Sequence, residues 1–368
     1  MIRIVPGLRR GEMRLPVSKS HAHRVLAAEF LAGRRESLAP SAGDCDDVAA
    51  TKRCLLALAS GSSRLDCGES GTTRRLLGPV AAAVGVRAKW IMRGRLASRP
   101  QIEYPVIAPG VHELPGDVSS QFVSGLLFAL PILGGDSEIV LTSPLKSRGY
   151  VDMTLQVLRE YGISVAETER GFRVPGNQKY VAPANGPRIE GDWSSAAFAL
   201  AMNALGSDVL FADGGAESLS SDSLQPDRAV VRMLEALSGD GARVLDVDQC
   251  PDLFPVLSVV AACRKGGTRF TGTRRLRLKE SDRVAAMSDV LRRFGVESTA
   301  GDDEFAVEGL GGLLAGGSFA SYADHRVAMS VAVGATRASA DVEIDDTSCA
   351  AKSYPTFFGD FGRLVVSG

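Results

Sequence analysis

One arrangement recurs about six times along the chain, and it limits the possible folds more than any other feature. A polar turn containing Gly or Ser leads into a helix rich in Ala and Leu, and a Gly and a short strand follow. Such helices are predicted to begin near Ser18, Glu69, Asp117, Asp192, Asp252 and Asp324. Strands behind four of them read 138–141, 208–211, 268–271 and 342–344. Small residues all round these helices predict burial on several faces. A second, amphipathic helix usually comes next, at 47–58, 152–161, 227–237 and 282–294, each stopping at or near a Gly. Edge-like strands follow three of these, at 164–166, 243–245 and 297–298. The unit is therefore strand, buried helix, strand, outer helix, strand, strand. Its copies are too long and too unevenly spaced for a solenoid. An α/β protein of two similar domains, each of three βαβαββ units, accounts for the pattern.

The break between domains is expected near 180–187 (YVAPANGP), where prolines and a Gly-containing turn interrupt the repeat. The first unit starts only at Ser18, so Met1–Pro16 is assigned to the second half. The domains are then residues 17–190 and residues 1–16 with 191–368. Two chain crossings leave a cleft between them, and such clefts favour small-molecule sites.

Bulk properties exclude other classes. The 368 residues carry a formal net charge of −1, which argues against a general nucleic-acid binder. The longest apolar run, near Phe122 to Leu133, is too short to span a bilayer. Six cysteines form no CxxC pair, and there are four histidines. No metal site is expected from that set. The thiols read as reduced, in a cytoplasmic protein.

The chemistry gathers at the helix starts, where free backbone N–H groups attract anions. Lys19, Ser20 and Arg24 lie at the first start, and Gly71, Thr72 and Arg75 at the second. Ser119, Ser120 and Gln121 lie at the third, Asp252 at the fifth, and His325 with Arg326 at the sixth. Connecting segments add Arg99, Ser147, Tyr150, Lys279, Arg283 and Lys352. Each Ser or Thr taken singly is explained by a helix cap. The same placement at five or six helix starts favours binding of phosphate and carboxylate groups. The densest stretch is Arg277 to Arg283, where Ser281 or Asp282 can cap the next helix. Among so many cations, Asp252 and Glu280 are the two acids suited to proton transfer, with a capping role competing at Asp252.

These motifs resemble the 3-phosphoshikimate 1-carboxyvinyltransferase (EPSP synthase) family along essentially the whole chain. The matching segments are LPVSKSHAHR, ESGTTRRL, SRP at Ser98, GDVSSQF, 147–152, EGDWSSAAF, LKESDR, DHRVAMS and CAAKSYP. The resemblance implies an enolpyruvyl transferase-like fold with its active site in the interdomain cleft. It implies transfer of the enolpyruvyl group of phosphoenolpyruvate to the 5-hydroxyl of shikimate 3-phosphate, on the shikimate pathway to chorismate, by a cofactor-free and metal-independent monomer.

By the same resemblance, Asp252 handles the 5-hydroxyl proton, and Glu280, with Lys19, the proton at the methylene carbon. Lys19, Gly71, Arg99, Gln121, Arg283, Arg326 and Lys352 are expected to hold phosphoenolpyruvate. Lys19, Ser20, Arg24, Ser119, Ser120, Gln121, Ser147, Tyr150, Asp252 and Lys279 are expected to hold shikimate 3-phosphate. Two positions depart from the family: Glu69 and Arg275 stand where many members carry Asn. One rival is the enolpyruvyl transferase acting on UDP-N-acetylglucosamine, which usually carries a reactive Cys in a Gly-rich loop. No cysteine here sits in such a loop. The other is a non-catalytic anion-binding protein on the same fold, which has no use for two acids that repel its ligands.

Overall fold

The computed structural model describes residues 1–367. Contacts divide the chain into two compact units. One is Ser18–Ile189; the other joins Met1–Val17 to the chain from Glu190 onward.

The Ser18–Ile189 unit contains α1 (Lys19–Leu31), α2 (Asp46–Ala59), α3 (Gly71–Ala83), α4 (Ser120–Ala129) and α5 (Arg148–Glu160). Hydroxyl side chains start three of them. Ser18, Ser70 and Ser119 accept the backbone N–H of His21, Thr73 and Gln121, each at 3.3 Å. α4 is buried continuously from Phe122 to Ala129, so its apolar circumference needs no solvent face. α3 packs directly on α4 because Gly125 carries no side chain: a Cβ there would meet the Arg75 carbonyl oxygen at 2.5 Å.

One sheet in this unit runs Gly110–Leu114, Ser137–Leu141, Gly171–Val174, Ala166–Thr168. The first pair is parallel, with Gly110 opposite Ser137 and Leu114 opposite Leu141. The other two pairings are antiparallel. α4 joins the parallel pair and α5 leads into the hairpin, which completes one βαβαββ unit. The remaining copies are abbreviated. Arg64–Gly68 pairs in parallel with Lys89–Met92 alone. Among the described residues, a 3-10 turn (Glu36–Leu38) stands between α1 and α2 in place of a strand.

The second unit holds α6 (Trp193–Ala204), α7 (Val230–Ala236), α8 (Phe254–Cys263), α9 (Arg283–Arg293), α10 (His325–Ala335) and α11 (Phe357–Arg363). Its four-stranded sheet, Arg243–Asp246, Lys265–Thr271, Glu304–Leu310, Glu297–Ala300, repeats the parallel, antiparallel, antiparallel order. The N-terminal strands belong here. Leu8–Met13 pairs with Asp208–Phe211 and Val365–Ser367, and Ile2–Ile4 pairs with Val342–Ile344. α8 and α10 are buried along their whole length. Gly334 lets α10 meet the Phe294 ring, which a Cβ would approach to 2.6 Å.

Boundaries shift where local chemistry intervenes. The helix expected at Asp252 begins at Phe254, after a 3-10 turn over Pro251–Leu253. The helix expected from Asp152 starts earlier, at Arg148, behind a left-handed Ser147 (φ 54°). The helix expected over 227–237 opens as a 3-10 turn, Pro226–Ala229, before α7. No helix among the described residues is long and apolar enough to cross a membrane.

Candidate functional site

In the Ser18–Ile189 unit the helix starts are tied to one another by polar side chains. Lys19, the first residue of α1, places Nζ 2.9 Å from Asp47 Oδ2 on α2. Below it runs a buried chain from His23 Nδ1 to Thr51, Thr73 and Ser70, with steps of 2.7, 2.6 and 2.7 Å. This chain links α1, α2 and α3. Burial pushes His23 down to about 3 and His21 to about 4, so both rings are neutral at ordinary pH.

Arg24 is 2% exposed, and its guanidinium organises the start of α5. Nε donates to Thr154 Oγ1 at 2.9 Å, Nη2 to the Tyr150 carbonyl at 2.8 Å, and Nη1 to the Ser20 carbonyl at 2.6 Å. Burial lowers its pKa to about 10. Ser20, Arg24 and Tyr150 are thus in one bonded group.

A second group forms at α3 and α4. Gln121 Oε1 accepts from Arg75 Nη1 at 2.9 Å, while Nε2 donates to Thr72 at 2.8 Å. Gly71 lies beneath two guanidiniums: a Cβ there would stand 3.2 Å from Arg99 Nη1 and 3.3 Å from Arg75 Nη1. Ser119 caps α4, and Ser120 begins it. Ser147 precedes α5 and is buried.

The other unit gathers the two proposed acids. Asp252 sits in the turn ahead of α8 and makes no side-chain cap there. Its Oδ1 lies 2.8 Å from Arg283 Nη1 and 3.3 Å from Lys279 Nζ, and its Oδ2 lies 3.0 Å from Arg326 Nη2. Its carboxylate oxygens are thus taken up by three cations. Arg283 opens α9, whose cap is Asp282, accepting from the Ala285 N–H at 3.0 Å. Arg283 also donates to Glu280 Oε2 at 2.9 Å and to Asp324 Oδ2 at 2.9 Å. Burial opposes ionisation of Asp252, yet Arg326, Lys279 and Arg283 together hold its carboxyl well below the usual range. Burial lowers Lys279, against the pull of Asp252. Lys352 ends a 3-10 turn (Ser348–Lys352) and is buried.

Comparison with known proteins assigns the chain. The profile of the family described as EPSP synthase (3-phosphoshikimate 1-carboxyvinyltransferase) matches residues 98–361. A 3-phosphoshikimate 1-carboxyvinyltransferase of Clostridium perfringens (strain 13 / Type A) is 34% identical, over 98% of this chain and 97% of that protein. The chain belongs to the EPSP synthase family. A relative in Clostridium beijerinckii of the same name is 32% identical, over 99% of this chain and 97% of its own length. The fold also matches solved structures. An EPSP synthase from Acinetobacter baumannii superposes with a TM-score of 0.74 at 24% identity, covering 100% of this chain and 99% of that one. The enolpyruvyl transferase NikO from Streptomyces tendae gives 0.69 at 14% identity, covering 99% and 97%. The enolpyruvyl transferase-like architecture implied by the family resemblance is the one observed.

The two departures from the family pattern have local partners. Arg275 donates through Nη2 to the Asp248 carbonyl and lies 3.3 Å from Asp248 Oδ1. Glu69 is exposed, and its carboxylate lies against Gly94, where an added Cβ would have to push it aside.

Some residues of these networks escape the sequence reading. Asp324 reads there only as a helix start. In the structure it is fully buried, caps α10, and accepts from Arg283 and Ser281. Asp47 reads only as part of an amphipathic helix, yet it is the Lys19 partner. The usable signal for Asp324 was its place at the start of a helix without a polar face, since an acid buried there needs a cation as partner.

Proposed function

We propose that the chain transfers the enolpyruvyl group of phosphoenolpyruvate to the 5-hydroxyl of shikimate 3-phosphate, releasing phosphate. The observation that carries this reading is the meeting of Lys279, Arg283 and Arg326 with Asp252 and Glu280 at adjacent helix starts. Both substrates carry a phosphate and a carboxylate, so fixed cations are required. The addition also needs an acid and a base.

In this mechanism Asp252 takes the proton of the 5-hydroxyl as its oxygen attacks C2 of phosphoenolpyruvate. Glu280, which takes up a proton from solvent once both substrates are bound, delivers it to the methylene carbon, assisted by Lys19. A tetrahedral intermediate results, with developing charge held by the cations. It collapses as Glu280 takes back a proton from the new methyl group and phosphate leaves. The hydroxyl proton departs with phosphate or solvent. Gly71, Arg99, Gln121, Arg283, Arg326 and Lys352 hold phosphoenolpyruvate. Ser20, Arg24, Ser119, Ser120, Ser147, Tyr150 and Lys279 hold the acceptor, and Lys19 and Gln121 serve both. The protein works in the cytoplasm as a monomer on two small molecules, without nucleic acid or membrane.

The cysteines support this acceptor over a UDP-sugar. Five are buried, and burial pushes the remaining thiol, Cys349, up to about 12. Such a thiol is no nucleophile. The test is phosphate release from phosphoenolpyruvate with a chelator present. Release with shikimate 3-phosphate and none with UDP-N-acetylglucosamine is the expected result. The reverse pattern assigns the sugar acceptor, and no release with either overturns the enzymatic reading.

A further inference from the structure

The geometry points to a second role for Asp252, one that rests on the reading above. In the unliganded unit its carboxylate stands in for a substrate anion, and an incoming anion must displace it from Arg326 and Lys279 before it is free to act as a base.

Three features carry this. The first is charge balance. Lys279, Arg283 and Arg326 supply three positive charges, and Asp252, Glu280 and Asp324 supply three negative ones, all joined by the contacts described. The network has no surplus charge for another anion while Asp252 keeps its cations.

The second is anchoring. Arg283 is 1% exposed and fixed by Asp324 and Glu280, so it cannot follow a ligand. Arg326 has Asp252 as its ion-pair partner through Nη2, and its buried Nε finds no acceptor among the protein atoms described.

The third is exposure. The Asp252 side chain is 23% exposed, against 5% for Arg326. Asp252 and Lys279 (24%) are therefore the outer members of the set, and the carboxylate has room to turn aside from the buried Arg326.

Displacement alone breaks no covalent bond and moves no proton. It exchanges one counter-ion for another. It also couples binding to catalysis. While Asp252 holds three cations its carboxylate is a weak base. With a substrate anion on Arg326 and Lys279, it regains the basicity that proton abstraction needs. Once protonated it no longer opposes the anion, and the proton it gains offsets the one Glu280 gives up as the intermediate forms.

Calorimetric titration of the full chain with inorganic phosphate tests this. Asp252→Asn is expected to bind phosphate about tenfold tighter than wild type, because buried cations without a partner favour any anion. Equal or weaker binding overturns the proposal. Glu280→Gln removes the same formal charge but leaves Arg326 and Lys279 paired, so a smaller gain is expected. An equal gain overturns the proposal, since net charge alone then explains both. Asp252→Ser, which admits solvent into the vacated volume, repeats the titration if the Asn variant does not fold. Wild-type turnover is read in parallel. Absent turnover defeats the enzymatic reading and leaves the phosphate comparison to judge the displacement separately.

Discussion

Arg283 and Asp324 form an ion pair sealed from solvent: Nε lies 2.9 Å from Oδ2, and the side chains are 1% and 0% exposed. Burial opposes ionisation of Asp324, but Arg283 holds its carboxyl below the ordinary value. Asp324→Asn leaves Arg283 with less compensation in a dry environment. A loss of about 3–5 kcal/mol is expected from breaking such a pair, read by urea unfolding at neutral pH. The sign of the pH effect follows from the lowered pKa. The pair's stability is fully present above the ordinary carboxyl range and is lost as pH falls through the depressed native value.

A separate acid sensitivity comes from His21 and His23. Burial lowers them to about 4 and about 3, while the unfolded chain titrates near the ordinary 6.5. Below 6.5 the unfolded state therefore binds protons that the native state refuses. Stability falls as pH drops from 6.5, by about 2 kcal/mol per histidine at most on reaching pH 5. His23→Gln removes one of these groups. Urea unfolding at pH 7 and pH 5 should show a smaller difference in the variant than in wild type. An unchanged difference would mean that His23 is protonated in the native protein.

How much of this was legible in the sequence depends on the range of the interaction. Helix starts were local: Ser18, Asp192 and Asp324 cap where the pattern placed helix starts, and of Ser281 and Asp282 it is Asp282 that caps. The edge strands near 243–245 and 297–298 were legible because their Gly-bounded alternation is also local. The Arg24 network was not. Its partners Ser124, Tyr150 and Thr154 lie a hundred positions or more away, and nothing near Arg24 announces them. The Lys19–Asp47 and Arg283–Asp324 pairs were illegible for the same reason. Periodicity reports which face is buried, whereas a counter-ion is chosen by packing between helices.

Ala323 offers a test of local strain. Tyr322 and Ala323 both occupy the left-handed region, at φ 58° and 50°, immediately before the Asp324 cap. The turn is pinned by the Tyr322 hydroxyl, which donates to Asp289 Oδ2 at 2.7 Å. A left-handed non-glycine residue costs about 1–2 kcal/mol. Glycine there relieves that strain and loses about 0.4–1 kcal/mol to the greater freedom of the unfolded chain. Ala323→Gly is expected to gain about 0.5–1 kcal/mol net, measured by urea unfolding. A loss would show that the Cβ has a packing role outweighing the backbone term.

Gly71 is placed to report on the cation pair above it. A Cβ at 3.2 Å from Arg99 and 3.3 Å from Arg75 forces both guanidiniums to give way by a few tenths of an ångström. Gly71 has an ordinary helical backbone, so Gly71→Ala should fold. Its effect is expected in the KM for phosphoenolpyruvate, raised about tenfold for roughly 1.4 kcal/mol of lost contact, with kcat changed less. A variant with unaltered KM would remove Arg99 from the phosphoenolpyruvate contacts proposed above.

Glu280 carries the sharpest kinetic prediction. Its carboxylate touches Arg283, which keeps Asp252 and Asp324 as partners when Glu280 is replaced, so Glu280→Gln should retain the fold. The amide preserves shape and hydrogen bonding but carries no transferable proton. Loss of a general acid typically costs a factor of about 10²–10⁴ in rate. The expected outcome is that fall in kcat with little change in KM. A second readout isolates the proton step. In heavy water the wild type should place solvent deuterium on the methylene carbon of phosphoenolpyruvate during turnover, because the methyl group of the intermediate returns a proton to Glu280. Glu280→Gln should abolish that exchange along with turnover. Exchange that persists at the wild-type rate would assign the proton to another group, and Lys19 would then be the residue to replace next.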